Sequence, residues 1–466
     1  YTGATTIAGG TMILSNDNVT GMTASASFGG AGELRIQPAS ADFGSALTTS
    51  SFSFNELQDG LVLGQDGKAA TIQIDSALTL DNSLTVYAGD LDIDGALTIN
   101  TATSGSAHKL DLHVRTSADQ TAAIDADTLA LYDIGDFTLN DGGNTVGTLA
   151  GGTAAAKLGS LTFVNSGALT IGAVNPTGIT ASGEVDISTK TGDLTVAEAI
   201  TTDSDSANAV VLNASSDVDI SDGDQSTTTT ADDVPGVGGD TGGNVKITMA
   251  NPGQAISIGQ GGRATVYTGA VSIADPDSRD VVETGDGEGD GLVEWGAGRA
   301  RYGSDETTTR FSAALGGGIY AVFRERPEMD VSANDQNIVY GQQPALTVGQ
   351  GGNRQHGDSL TQAIPGTGSQ ITVEDGGVPV VATDNGTAYF DVGTYDLVVP
   401  QVTSSALGYK VNSNTATTGN KTLTVTERDL LLRANDDAKF KVEMDQLPDG
   451  YTFNGVTVSG MADGEK

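Results

Sequence analysis

The sequence predicts an all-β fold: a right-handed parallel β-helix, followed by a small β-rich module and the start of a second one. Three observations predict it. Apolar pairs recur every six or seven residues between Gly60 and Asn100, side chains are small and seldom aromatic, and one motif returns about a hundred residues later. No interval shows a helix-length stripe of 3.6-residue period.

The pairs are Ile72/Ile74, Leu78/Leu80, Leu84/Val86, Leu91/Ile93 and Leu97/Ile99, each alternating with polar residues. Each reads as a very short strand with one buried face. Hairpin sheets space their turns roughly 8–12 residues apart, so the tighter spacing here fits three short strands per coil of a solenoid. Ile72 to Leu91 and Leu78 to Leu97 are both nineteen residues apart, which sets one coil. Between strands stand Asp81-Asn82-Ser83 and Ala88-Gly89-Asp90, residue types that accept tight corners and left-handed backbone.

Composition agrees with a narrow, stacked core. The 466 residues hold no cysteine, 64 glycines and 5% aromatics, so neither disulfides nor thiolate chemistry is available. The formal charge is −38, with 60 acidic against 22 basic residues. That field repels nucleic acid and anionic membranes, and suits a secreted surface protein, a salt-adapted protein or a cation binder. No apolar run is long enough to span a membrane, and Tyr1-Thr2-Gly3 lacks the basic start and apolar core of a signal peptide. The chain reads as a processed piece of something longer.

Taken in order, residues 1–59 form an irregular start to the solenoid, with TIAGGTMIL bending at Gly9-Gly10 and strand-like alternation around Phe28, Leu34/Ile36, Phe43 and Phe52/Phe54. Residues 60–291 are the regular β-helix. It carries on through Leu110/Leu112/Val114, Leu129/Leu131, Phe137/Leu139, Leu161/Phe163, Leu169/Ile171, Val185/Ile187 and Leu194/Val196. A polar, Gly-rich excursion interrupts it near 222–243, and a second acidic loop follows at 283–291. Residues 292–326 collect the single tryptophan, Trp295, with Tyr302, Phe311, Tyr320, Phe323, Arg299, Arg301 and Arg310, a composition that can seal the open apolar end of a solenoid. Residues 327–427 are the first module. Its expected strands are Ala345–Val348, Tyr389–Val392, Tyr395–Val399 and Lys421–Val425. Glu325-Arg326 with Ala333-Asn334-Asp335 returns as Glu427-Arg428 with Ala434-Asn435-Asp436, so 428–466 is the truncated opening of a second module.

Several stretches resemble the filamentous-haemagglutinin class of large secreted adhesins. Gly60-Leu61-Val62-Leu63-Gly64 and Thr85-Val86-Tyr87-Ala88-Gly89-Asp90 resemble their β-helical shaft, and Arg301-Tyr302 with Phe323-Arg324-Glu325-Arg326-Pro327 resembles its end. Val339-Tyr340-Gly341, Gly393-Thr394-Tyr395 and Gly408-Tyr409 resemble the small MBG modules that follow such shafts. The resemblance implies an exported protein, extracellular or on a bacterial cell surface, that serves adhesion or biofilm contact. Its implied partners are a host or neighbouring-cell glycan or protein, or other copies of itself, with no nucleic acid and no membrane insertion. It carries over no catalytic residue.

Candidate sites are few. Asp217, Asp219, Asp222 and Asp224 line an acidic strand and its loop, where aligned carboxylates can chelate calcium, the one cofactor the sequence suggests although none is required. Asp90-Leu91-Asp92-Ile93-Asp94-Gly95 matches the start of an EF-hand loop. Its twelfth position is Thr101, however, and Leu91 and Ile93 belong to the core alternation, so a solvated strand face is the better reading. Trp295, Arg299, Arg301 and Tyr302 form the expected binding surface. The three histidines, His108, His113 and His356, are scattered, and no catalytic triad, phosphate loop or zinc motif is present. The chain therefore reads as a non-enzymatic adhesin. A self-assembling fibre is one alternative; a β-helical polysaccharide lyase or hydrolase, which would need paired acids and sugar platforms, is the other.

Overall fold

The computed structural model describes residues 3–18, 26–57, 59–99, 108–218, 220, 242–271, 298–350, 355–365, 371–380, 389–399, 405–413, 421–434 and 456–460. The fold is all-β and divides into two compact units. The first comprises residues 1–327 with 355–358 and 406–409; the second comprises 328–354, 359–405 and 410–466.

The first unit is built on a 24-stranded sheet whose strands pair in parallel. Its register follows the apolar repeat. Ile72 pairs with Leu91 and Leu78 with Leu97, the nineteen-residue steps expected from the sequence. One column of register partners runs Leu34, Leu61, Leu84, Leu110, Leu129, Leu149, Ile171, Val196 and Ile247. Every member is at most 1% exposed. Full burial of each such side chain is worth roughly 1.5–3 kcal/mol, so the column explains why strands of three to five residues hold their place. The step from Val196 to Ile247 spans the excursion near 222–243, most of which lies outside the described residues, and the register resumes beyond it. At the other end, Gly3–Ile7 and Thr11–Ser15 are strands joined through Gly9 and Gly10, the latter at φ 78°.

Bends between strands expose backbone groups that the apolar interior cannot satisfy, and buried amides take them. Asn144 is fully buried. Its Nδ2 donates to the carbonyls of Leu139 and Val164, at 3.2 and 2.9 Å, while its Oδ1 accepts from the Ile124 amide at 2.8 Å. Asn165 repeats the arrangement, accepting from Val146 N–H at 2.8 Å and donating to the carbonyls of Val146, Gly167 and Ala168.

The second unit holds a five-stranded sheet. Gln336–Val339 runs parallel to Lys421–Thr426, which is antiparallel to Gly393–Val398; Thr372–Asp375 and Val378–Pro379 follow. A three-stranded sheet sets Glu328–Ala333 between Val348–Gln350 and Lys410–Ser413. Met329, Val331, Leu397, Leu423 and Val425 are buried.

Three local expectations change here. Residues 389–392 are irregular, because pairing with Lys421–Thr426 begins only at Gly393 opposite Val425. The strand expected at 345–348 is instead Val348–Gln350. A single helical turn, Leu360–Ala363, forms on a capping box in which the Ser359 side chain accepts from Gln362 N–H, a signal too short to show as periodicity.

Candidate functional site

The outward face of the parallel sheet is mostly threonine and aspartate. Thr128, Thr148, Thr170 and Thr195 are successive register partners, and so are Asp92, Asp119, Thr138 and Thr162. One place departs from this. Tyr87, His113 and Tyr132 are register partners on the strands Leu84–Ile93, Lys109–Gln120 and Ile124–Tyr132. Each ring stands three residues after a leucine of the buried column, Leu84, Leu110 or Leu129, so strand alternation puts leucine and ring on opposite faces.

The rings stack as a ladder. Tyr87 and His113 have centroids 4.4 Å apart at 29°, and His113 and Tyr132 have centroids 4.2 Å apart at 3°. Because the rings face one another, their edges and polar atoms are what solvent meets. The ladder is bounded on one side by Gly64, the register partner of Tyr87. Gly64 has φ 80°, and a Cβ there would collide with the Tyr87 carbonyl oxygen. At the other end the Tyr132 hydroxyl donates to the Asn175 carbonyl.

Charges of both signs surround the rings. The Lys109 ammonium donates to the Tyr132 hydroxyl at 3.0 Å and to the Asn175 carbonyl at 2.9 Å, and pairs with Asp111 at 2.9 Å. Asp133 approaches His113 Nδ1 at 4.0 Å, and Arg115 approaches Asp66 at 3.8 Å. Burial holds the His113 imidazole below its ordinary range, against the opposing pull of Asp133, Asp111 and Asp66. Burial, followed by the charge of Asp66, pushes the Tyr87 phenol up. Burial also pulls on Lys109, but its hydrogen bonds to Tyr132 and Asp111 outweigh it and hold the ammonium above the lysine range. The arrangement thus offers hydrogen-bond donors, a neutral imidazole and carboxylates along one strip, chemistry suited to hydroxyl-rich ligands or to proton transfer.

Comparison of the chain with known protein families, curated proteins and solved structures finds no match. The site stands on its geometry alone.

The residues singled out from the sequence fare differently. Asp217 is exposed and pairs with Lys190 at 3.3 Å, while Asp219, Asp222 and Asp224 lie outside the described residues, as does Trp295. Among the described residues, no three His, Asp or Glu side chains converge as a metal-holding group. The EF-hand-like stretch is a strand face: Leu91 and Ile93 are buried, Asp92 accepts from Gln73, and Asp94 accepts from Thr121.

Of the expected binding surface, Tyr302 and Arg301 are interior, 0% and 4% exposed, and present nothing to solvent. The reason is physical. Arg301 Nη1 is solvated by the carbonyls of Gly298 and Ala300 at 3.0 and 2.7 Å, and its guanidinium lies over Phe311 and Tyr320. Tyr302 stacks on Phe323, and its hydroxyl shares Asp358 with that of Tyr409, each donating at 2.8 Å. Arg324, fully buried, donates to the Ala214 carbonyl and to Asn213 Oδ1, both at 2.6 Å, with Glu306 at 3.8 Å. These side chains cover the strand Gly318–Phe323 instead of offering a surface. Among the described residues of that expected surface, Arg299 alone remains partly exposed.

The ladder was missed in the sequence because its members are 26 and 19 residues apart. The signal that finds it is the shared three-residue offset from the buried leucines.

Proposed function

We propose that the 24-stranded sheet winds into a closed, right-handed parallel β-helix and that the chain is a secreted or bacterial cell-surface adhesin whose contact surface is the Tyr87–His113–Tyr132 strip. The observation that carries this reading is the gathering of three rings and the charges of Lys109, Asp111, Asp133 and Arg115 on an outward face where threonine and aspartate predominate. The adhesin class rests on the sequence resemblance, and the winding is supported by parallel pairing between strands one nineteen-residue step apart. Ring edges, a lysine and carboxylates fit the hydroxyl pattern of a surface glycan. A rigid, repetitive sheet is a scaffold on which such a strip can vary without disturbing the core.

A second reading is favoured by one observation, a neutral imidazole held beside Asp133 and Asp111. A β-helical polysaccharide hydrolase or lyase would use such groups for proton transfer. Incubation with immobilised neutral and acidic polysaccharides, with and without calcium, tests both. Retention without released sugar, lost in His113→Ala, is expected; released sugar would replace the adhesin by the enzyme. Retention unchanged in His113→Ala would remove the strip from the contact.

A further inference from the structure

In a chain of charge −38, the first unit gathers arginine at one place away from the ladder. Arg263 opens the strand Arg263–Thr268 and is the register partner of Gly318 in Gly318–Phe323; Arg299 immediately precedes Ala300–Arg301, which pairs with that same strand. Tyr320 lies among them. The guanidinium carbons of Arg299 and Arg301 stand 4.8 and 5.3 Å from its ring centroid.

Buried Arg301 is committed to main-chain carbonyls, but Arg263 and Arg299 are half-buried and far from saturated. Arg263 Nη1 donates to the Leu315 carbonyl at 3.4 Å, and Arg299 Nη1 donates to that of Gly317 at 2.9 Å. Arg263 Nε is buried with no hydrogen-bond partner among the described residues. None of the three forms an ion pair with a carboxylate among the described residues, although carboxylates outnumber cations nearly threefold along the chain. Gly318 makes room for the Arg299 guanidinium: it has φ 103°, and a Cβ there would stand 2.9 Å from Arg299 Nη1.

Like charges around one ring repel, and the Nη groups of Arg263 and Arg299 have donors to spare. A bound oxyanion offsets the repulsion and takes those donors. We propose that Arg263 and Arg299, which both adjoin Gly318, with Arg299 braced on Tyr320, form a binding site for a carboxylate or sulfate group carried by an acidic glycan. A guanidinium fork matches the paired oxygens of either group. A nucleic acid places a charge about every 1.7 Å and is repelled by the chain as a whole, whereas a glycan with one anion per sugar or two brings its charge to the cluster sparsely. The glycan carrier rests on the adhesin reading above; the anion site does not.

Titration calorimetry of the whole chain with inorganic sulfate, a sulfated oligosaccharide, a uronic-acid oligosaccharide and a neutral one tests this. Saturable binding that depends on Arg263 and Arg299 is expected for sulfate and both acidic sugars, and none that depends on them for the neutral one. Arg299→Gln and Arg263→Gln should each weaken it by about tenfold, the loss of one charged hydrogen bond. Arg299→Lys should weaken it less, and Lys157→Gln, at a surface cation already paired with Asp203, should leave it unchanged, with melting temperatures matched throughout. Wild-type protein that binds no anion, or glutamine variants that bind as wild type does, would overturn the site. Binding of sulfate without either acidic sugar would overturn the glycan carrier alone, and the ladder's own contact would be untouched by any of these results.

Discussion

Leu110 and His113 sit three residues apart on one strand and belong to two columns that obey the same register, one inside the sheet and one outside. The inner column runs through nine strands with only Leu, Ile and Val. The outer one holds rings at three strands and glycine at the fourth. Parallel stacking repeats whatever stands at a given position, so the interior tolerates one chemistry throughout, while the exterior is free to change it from strand to strand. The inner column makes the fold, and the outer column can specialise.

Removing a member of the inner column should have the largest effect. Leu110→Ala is expected to cost about 2–5 kcal/mol, the range for a buried leucine truncated inside a packed core, seen as a lower denaturation midpoint. An effect below about 1 kcal/mol would mean that the column is not close-packed.

Acid should act chiefly through the ring cluster around Tyr302, with a smaller effect of the same sign from His113 on the ladder. His356 lies against Phe323 and Tyr302, and burial pushes its imidazole down to about 4. Its folded pKa is below the unfolded one of about 6.5, so the unfolded chain takes up the proton first. Stability is therefore full above pH 6.5 and falls as pH drops towards 4, by up to about 3 kcal/mol. His356→Phe should flatten that part of the profile. Persistence of the slope would assign it to other groups.

Asn144→Ala should cost about 1–3 kcal/mol, because it leaves the Ile124 amide and the Val164 carbonyl buried without that partner. Hydrogen exchange accelerated at Ile124 more than at its neighbours would locate the loss.

The smallest effect on stability belongs to the ladder. His113→Ala should cost about 0.5–1.5 kcal/mol, the worth of its ring contacts, while removing the proposed glycan retention. A cost comparable to Leu110→Ala would make the ladder a structural element and end the contrast drawn above.

How much of this was legible follows from the same contrast. The inner column was readable because it repeats: Ile72 to Leu91 and Leu78 to Leu97 gave the register directly. Tyr302 was misplaced as a surface residue because aromatic and arginine content marks both a cover over a sheet and a binding face, and only burial separates them. Tyr87, His113 and Tyr132 could be grouped only after the register was known, since their spacing is uneven. Asn144 gave no signal at all: a polar residue beside Gly142-Gly143 reads as an exposed turn until its neighbours' carbonyls are seen around it.

Leu194 pairs with Val245 as closely as Leu169 pairs with Leu194, although the first step spans twice as many residues. The cost of closing a flexible loop grows only by about 0.6 kcal/mol for each doubling of its length. The stretch of sequence between Leu194 and Val245 is thus a natural insertion point for protein engineering: a foreign epitope spliced between 222 and 241 would be carried by a sheet whose register is fixed on both sides of it.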